Sequence, residues 1–143
     1  HYAGGLSRSF EPIEPKPLEE FISLYQRYIN PIFYNKNTAI GLHQIRITCS
    51  DDYVGHPVPE GWHVDGFDYV AIACISGSNF LGGTSRIKSN LDYDHDTFSR
   101  ILLPSEVLVF NDKKYYHHTD PINNAIEGII GYRDILVITI QLN

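Results

Sequence analysis

The sequence predicts a mainly β fold, a sandwich, jelly roll or small barrel, preceded by one amphipathic helix. Three observations carry that expectation. Beyond residue 38, β-branched and aromatic residues gather in short runs; glycine, proline and asparagine fall between or beside those runs; and only one stretch, near the N-terminus, repeats its apolar residues at helical spacing. A chain of 143 residues holds one hydrophobic core, so a single domain over 1–143 is expected.

The first 17 residues carry Pro12, Pro15 and Pro17 among glycines and charges, a composition that reads as an extended arm. From Leu18, the residues Phe21, Ile22, Tyr25 and Ile29 recur every three or four positions with Glu19, Glu20, Gln26 and Arg27 between them, which predicts a helix over 18–30 that ends near Pro31. A β core over 39–143 follows. Its strands are expected at 39–48, 61–75, 84–89, 101–103, 107–110, 115–119 and 133–141, with Gly55, Gly82-Gly83, Pro104, Asn123-Asn124 and Gly131 as the breaks.

Composition excludes several classes of partner. A formal charge of -6 with scattered Lys and Arg offers no basic patch for phosphates, so nucleic acid is not expected. No apolar run approaches the roughly 20 residues of a membrane span, and no signal peptide opens the chain. Cys49 and Cys74 lie in separate apolar segments without CxxC spacing, which fits two free thiols in a reducing compartment better than a disulfide framework. The expectation is a soluble cytoplasmic protein.

Chemistry concentrates in three places. In Gly61-Trp62-His63-Val64-Asp65-Gly66, strand alternation would put His63 and Asp65 on one face, about 6.6 Å apart at the backbone, close enough for their side chains to converge on one ion. An imidazole with a carboxylate is the mixed donor set of an Fe(II) facial triad. Alone, the His-x-Asp triplet is a weak signal that reads more readily as a polar turn or strand end. The third ligand is sought in Tyr115-Tyr116-His117-His118-Thr119, where alternation lets only one of the two histidines face inward, or neither if this is an exposed strand end.

The third place is the last strand. There Arg133, Ile135, Val137 and Thr139 share one face, and Asp134, Leu136, Ile138 and Ile140 the other. Both faces are apolar beyond the first pair, so the strand is buried and Arg133 needs an anion. That anion is either a carboxylate of the protein or a dicarboxylate cosubstrate held in bidentate fashion. Asp92-Tyr93-Asp94-His95-Asp96 imitates the start of a calcium loop, but the central Gly is missing and Leu103 replaces the twelfth-position Glu, so it reads as a solvated loop.

Taken together, Pro59-Glu60-Gly61-Trp62-His63-Val64-Asp65-Gly66, Asn79-Phe80-Leu81-Gly82-Gly83-Thr84-Ser85, His117 with Pro121-Ile122 four residues on, and Arg133-Asp134 opening an apolar strand resemble the bacterial 2-oxoglutarate and Fe(II) dioxygenases that hydroxylate free amino acids such as L-isoleucine. The resemblance runs from about Gly41 to the C-terminus. It implies a double-stranded β-helix, the cupin-like jelly roll. It implies iron on His63, Asp65 and His117, the last chosen over His118 by its spacing to Pro121. It further implies 2-oxoglutarate chelating the iron with its distal carboxylate on Arg133, and O2 as oxidant. The Gly82-Gly83 turn is placed near the site, while no role is carried over to Thr84. Gln44 and Arg46, in the similar strand His43-Gln44-Ile45-Arg46-Ile47-Thr48, are tentative cosubstrate contacts, with a surface strand edge as the alternative; Thr139, in phase with Arg133, is another tentative contact. The substrate implied is a free aliphatic L-amino acid. Two other readings keep these residues: a cupin-like metalloenzyme of another reaction type without 2-oxoglutarate, in which Arg133 is structural, and a non-enzymatic β-sandwich binding module with surface histidines.

Overall fold

The computed structural model describes residues 11–34 and 37–143. Helix α1 spans Pro15–Leu24, runs on as a π-helical turn, Tyr25–Ile29, and closes with a 3-10 turn, Asn30–Phe33. The expected arm is therefore too long: Pro15 and Pro17 belong to the first turn of α1, where a missing N–H costs nothing. The part of that arm in residues 1–10 lies outside the described residues. Tyr25, Ile29 and Phe33 are buried, as their spacing requires, although they sit in the two terminal turns and not in the α-helix itself.

Among the described residues nine strands follow: β1 Thr38–Cys49, β2 Tyr69–Ser78, β3 Phe80–Gly82, β4 Ser85–Ser89, β5 Phe98–Arg100, β6 Val107–Asn111, β7 Tyr115–Thr119, β8 Ile122–Asn124 and β9 Gly131–Leu142. They form a four-stranded sheet in the order β1-β9-β2-β6, a three-stranded sheet β5-β4-β7 and a ribbon β3-β8, with every pairing antiparallel. This is the jelly roll. Non-sequential neighbours such as β1 and β9 bring the two ends of the core into twelve-residue register, Thr38 opposite Leu142 through Cys49 opposite Gly131.

Alternation gives the large sheet two apolar faces. The outer face packs Ala71, Ile138 and Ile140 against Tyr25, Ile29 and Phe33. The inner face packs Val70, Ile72, Cys74 and Phe110 against Ile87 of the smaller sheet and Leu102, while Ile47, Cys49 and Ile135 enclose Ile122. The site lies in this inner layer. Cys49 and Cys74 are buried free thiols. No helix among the described residues is long and apolar enough to cross a membrane.

Three strand expectations are corrected. Residues 61–68 are not strand; β2 begins only at Tyr69, because Gly66 at φ 88° turns the chain out of an extended path. The strand expected at 101–103 is displaced to Phe98–Arg100, and Ser105, at φ 73°, belongs to the turn that follows. The Asn123-Asn124 break is instead part of β8, which pairs with β3 in a two-stranded ribbon that local turn propensity does not reveal.

Candidate metal centre

His63 is carried by a loop, and its backbone position comes from β7. The His63 N–H donates to the His117 carbonyl at 3.2 Å and the His117 N–H returns a bond to the His63 carbonyl at 3.0 Å, so an isolated antiparallel bridge sets the two histidines opposite each other. Their rings lie 4.1 Å apart between centroids. Asp65 turns back toward both: His63 Nε2 is 3.3 Å from Asp65 Oδ1, and His117 Nε2 is 3.8 Å from Asp65 Oδ2. One nitrogen from each histidine and one carboxylate oxygen all fall within 4.8 Å of one another. Ligands bonded at about 2.0–2.2 Å to one ion lie roughly 3–4 Å apart, so the group needs little adjustment to close on a cation.

Tautomers favour the same atoms. His63 Nδ1 donates to the Gly61 carbonyl at 2.9 Å, which places a proton there and makes Nε2, which faces Asp65, the nitrogen available to a metal once its own proton is lost. Burial acts to lower the His63 pKa, but the bond with Asp65 and the Gly61 carbonyl outweigh it and leave the ring above its ordinary value. Burial likewise acts to raise Asp65, and the His63 contact with the charge of His117 carries it below the usual carboxylate range. Burial, reinforced by the charge of His63, pushes His117 down to about 4, which keeps its imidazole neutral at physiological pH, the form a metal requires. His118 lies on the other face of β7, 5.5 Å from the Trp62 ring and 3.7 Å from Asp120.

Arg133 has 0% exposure, on the inner face of β9. Its Nη2 donates to Ser85 Oγ at 3.4 Å, the Cys74 thiol lies against it, and Nε and Nη1 have no hydrogen-bond partner. No carboxylate among the described residues pairs with it. A buried guanidinium in that state is suited to pairing with an anion. Gly83, at φ 72°, runs past it closely enough that a β-carbon there would sit 3.6 Å from Arg133 Cδ. Along β9 the register places Val137, four residues from Arg133 and in phase with it, opposite His43, which acts electrostatically on Asp65, so Arg133 and the histidine–aspartate cluster share the inner face.

Comparison with known proteins assigns the family. A family model of 2OG-Fe dioxygenases matches residues 1–139. The chain belongs to the 2OG-Fe dioxygenase family. L-isoleucine-4-hydroxylase of Bacillus thuringiensis is 28% identical over 110 residues, which are 77% of this chain and 45% of that one. A BsmA homologue from Methylobium petroleophilum PM1 superposes with a TM-score of 0.82 at 26% identity, covering 96% of this chain and 57% of the other. IDO from Bacillus thuringiensis, at 23% identity, shares the fold with a TM-score of 0.72 over 97% of this chain and 64% of that structure. The chain thus spans about half the length of the relatives it matches.

The donor chemistry fits the iron and 2-oxoglutarate that the family name implies: two imidazoles and a carboxylate converge, and a buried guanidinium with no carboxylate partner among the described residues stands on the same face. Three tentative contacts fit less well. Arg46 is in register with Asp134, on the outer face, and its Nε and Nη2 both donate to that carboxylate at 2.7 Å, so it has no free fork for a cosubstrate. Gln44, two residues away in the same phase and opposite Leu136, also faces the helix side. The inward residues of β1 are instead His43, Ile45 and Ile47, one step out of phase with that expectation. Thr139 is in phase with Arg133 and buried with a partnerless Oγ1, but six residues, about 20 Å, separate the two, too far to share one carboxylate.

Four groups escaped the sequence reading. Ser85, which closes the Asn79–Ser85 motif, is the hydroxyl on Arg133. His43 stands on the inner face of β1, out of phase with Gln44 and Arg46. Glu60, with its side chain 4% exposed, brings a second carboxylate to 3.9 Å from His63 Nε2. Asp112, in the polar run Asn111-Asp112-Lys113-Lys114, looked like a solvated turn residue and is 1% exposed. Two of the four leave a sequence signal: Ser85 stands one residue beyond Gly82-Gly83-Thr84, and Glu60 lies in the Pro59–Gly66 motif that carries His63 and Asp65.

Proposed function

We propose that this chain carries the catalytic core of an Fe(II)- and 2-oxoglutarate-dependent hydroxylase acting on a small molecule, a free aliphatic L-amino acid. The observation that carries the reading is the pairing of His63, Asp65 and His117 with a fully buried Arg133 that lacks a counter-ion, on one inner face. His63 Nε2, one oxygen of Asp65 and His117 Nε2 would hold the iron. Arg133, supported by Ser85, would take the distal carboxylate of 2-oxoglutarate in a charge-assisted fork. Bound there, the iron supplies the redox chemistry by which one atom of O2 enters a substrate C–H bond and the other enters succinate, with release of CO2.

The chain's own contribution is binding and enclosure. Three ligands on one side of the site would leave room opposite them for cosubstrate and O2, and the apolar inner layer would keep bulk water from the reacting groups. The amino-acid substrate is supported by the likeness to L-isoleucine-4-hydroxylase alone. Anaerobic reconstitution with Fe(II), desalting and metal analysis test the centre. One iron per chain, lost in Asp65→Ala, is expected, followed by succinate formation that rises when aliphatic L-amino acids are added. A protein that retains no iron rejects the metal centre. Iron retention with no response to 2-oxoglutarate reassigns the chain to a different metal-dependent reaction.

A further inference from the structure

Asp112 sits at the end of β6 with its carboxylate directed into the loop that follows Asp65. Oδ1 accepts the Asp65 N–H at 3.1 Å, and Oδ2 accepts the Gly66 N–H at 2.7 Å and the Phe67 N–H at 3.0 Å. The Asp112 N–H in turn donates to the Asp68 carbonyl at 3.1 Å, so the loop is held from both sides by one residue. A carboxylate offers about four lone-pair sites. Three are taken by the loop, two of them on Oδ2. The fourth belongs to Oδ1, and that oxygen lies 3.8 Å from His117 Nδ1.

His117 presents its two nitrogens in opposite directions, Nε2 to Asp65 and Nδ1 to Asp112. Nδ1 is buried and has no hydrogen-bond partner. A metal-bound histidine almost always donates its second N–H to a carboxylate, carbonyl or water, which fixes tautomer and ring orientation. Closing 3.8 Å to an ordinary hydrogen bond takes a movement of about 1 Å. Phe110, its ring 5.0 Å from that of His117, packs against the imidazole.

We propose that Asp112 is a positioning residue of the metal centre, setting the Asp65 loop through three backbone N–H groups and the His117 ring through Nδ1. The inference rests on the reading of His63, Asp65 and His117 as metal ligands. It links two ligands that are far apart in sequence through one carboxylate that is not itself among the three ligands.

Cobalt(II), whose d–d absorption reports ligand geometry, is the probe. Asp112→Asn keeps the side-chain volume but turns an N–H donor toward an N–H donor. It should weaken cobalt(II) binding roughly 10- to 100-fold and shift the d–d bands. Asp134→Asn, which disturbs a buried carboxylate on the outer face, should lower the melting temperature while leaving cobalt affinity and bands as in wild type. An Asp112→Asn protein with wild-type bands and affinity, whatever its melting temperature, overturns the proposal. Should that variant not fold, the wild-type protein loaded with zinc(II) decides: histidine-selective 15N NMR is expected to show His117 as the Nδ1–H tautomer with a slowly exchanging proton, and the Nε2–H tautomer overturns it. Wild-type protein that binds no cobalt(II) rejects the ligand assignment itself, a result distinct from a failure of Asp112 alone.

Discussion

Two arginines on neighbouring strands meet opposite fates. Arg46 on β1 and Arg133 on β9 are one register position apart, since Arg46 stands opposite Asp134 and Ile47 opposite Arg133. Arg46 faces outward, forms a two-pronged bond with Asp134 and lies 4.6 Å from the centre of the Tyr132 ring. Arg133 faces inward, is excluded from water and meets a hydroxyl and a thiol in place of a carboxylate. The same division separates the two histidines of β7: His117 joins Asp65 and His63 inside, while His118 lies beside Trp62 and Asp120 outside. On the outer surface charges find partners within the chain, as Arg86 does with Asp96 and Asp120. On the inner face Arg133 meets no carboxylate among the described residues, and a buried charge left in that state marks a candidate binding site.

Substitutions on either side of this division can break it. The largest effect is expected at β7: His117→Ala abolishes stoichiometric metal binding, while His118→Ala retains it, as read by Fe(II) content after desalting. The reverse result would move the inner face by one residue and leave only the general triad standing. The arginines come next. Arg133→Leu should weaken 2-oxoglutarate by about 1.5–3 kcal/mol, roughly 10- to 150-fold, because a charge-assisted fork is lost. Arg46→Leu should leave that affinity unchanged in the same calorimetric titration.

The third test uses pH on the metal-free protein. The folded pKa of His117, pushed to about 4 by burial and then by the charge of His63, lies below its unfolded value of 6.5. The unfolded state therefore binds the proton first, and the stability due to a neutral His117 is complete above pH 6.5 and lost as pH falls through 4. His63 acts in the opposite sense, since its raised pKa gives stability below its unfolded value that is lost as pH rises through the folded one. Urea unfolding of wild type against His117→Gln isolates the first contribution, and a difference between the two that does not vary from pH 7 to pH 4 would contradict it. The smallest expected effect is also a stability effect: Arg133→Leu should raise the urea midpoint of the cosubstrate-free protein, by about 1–3 kcal/mol in unfolding free energy, because it removes a buried cation without a counter-ion. A lower midpoint would mean that Ser85 and Cys74 satisfy the guanidinium.

Local pattern alone determined much of this molecule. The β7 boundaries, the inward phase of Arg133 with Ile135 and Val137, and the burial of Tyr25 and Ile29 all follow from periods of 2 and 3.6, which depend on backbone geometry and not on the fold around them. The His63-Val64-Asp65 triplet was legible too, although for a different reason from the one its alternation suggests. What joins its two side chains is a turn at Gly66 and a single bridge to His117, not a strand face. Tertiary structure decided the rest. Whether the inward face of β1 carries Gln44 and Arg46 or His43 and Ile45 depends on which side α1 covers, and an amphipathic strand with two apolar neighbours cannot specify that by itself. Asp112 was invisible for the same reason: its three backbone partners lie 45 to 47 residues away, so a residue with the local signature of a solvated turn becomes buried only when β6 and the loop before β2 are brought together.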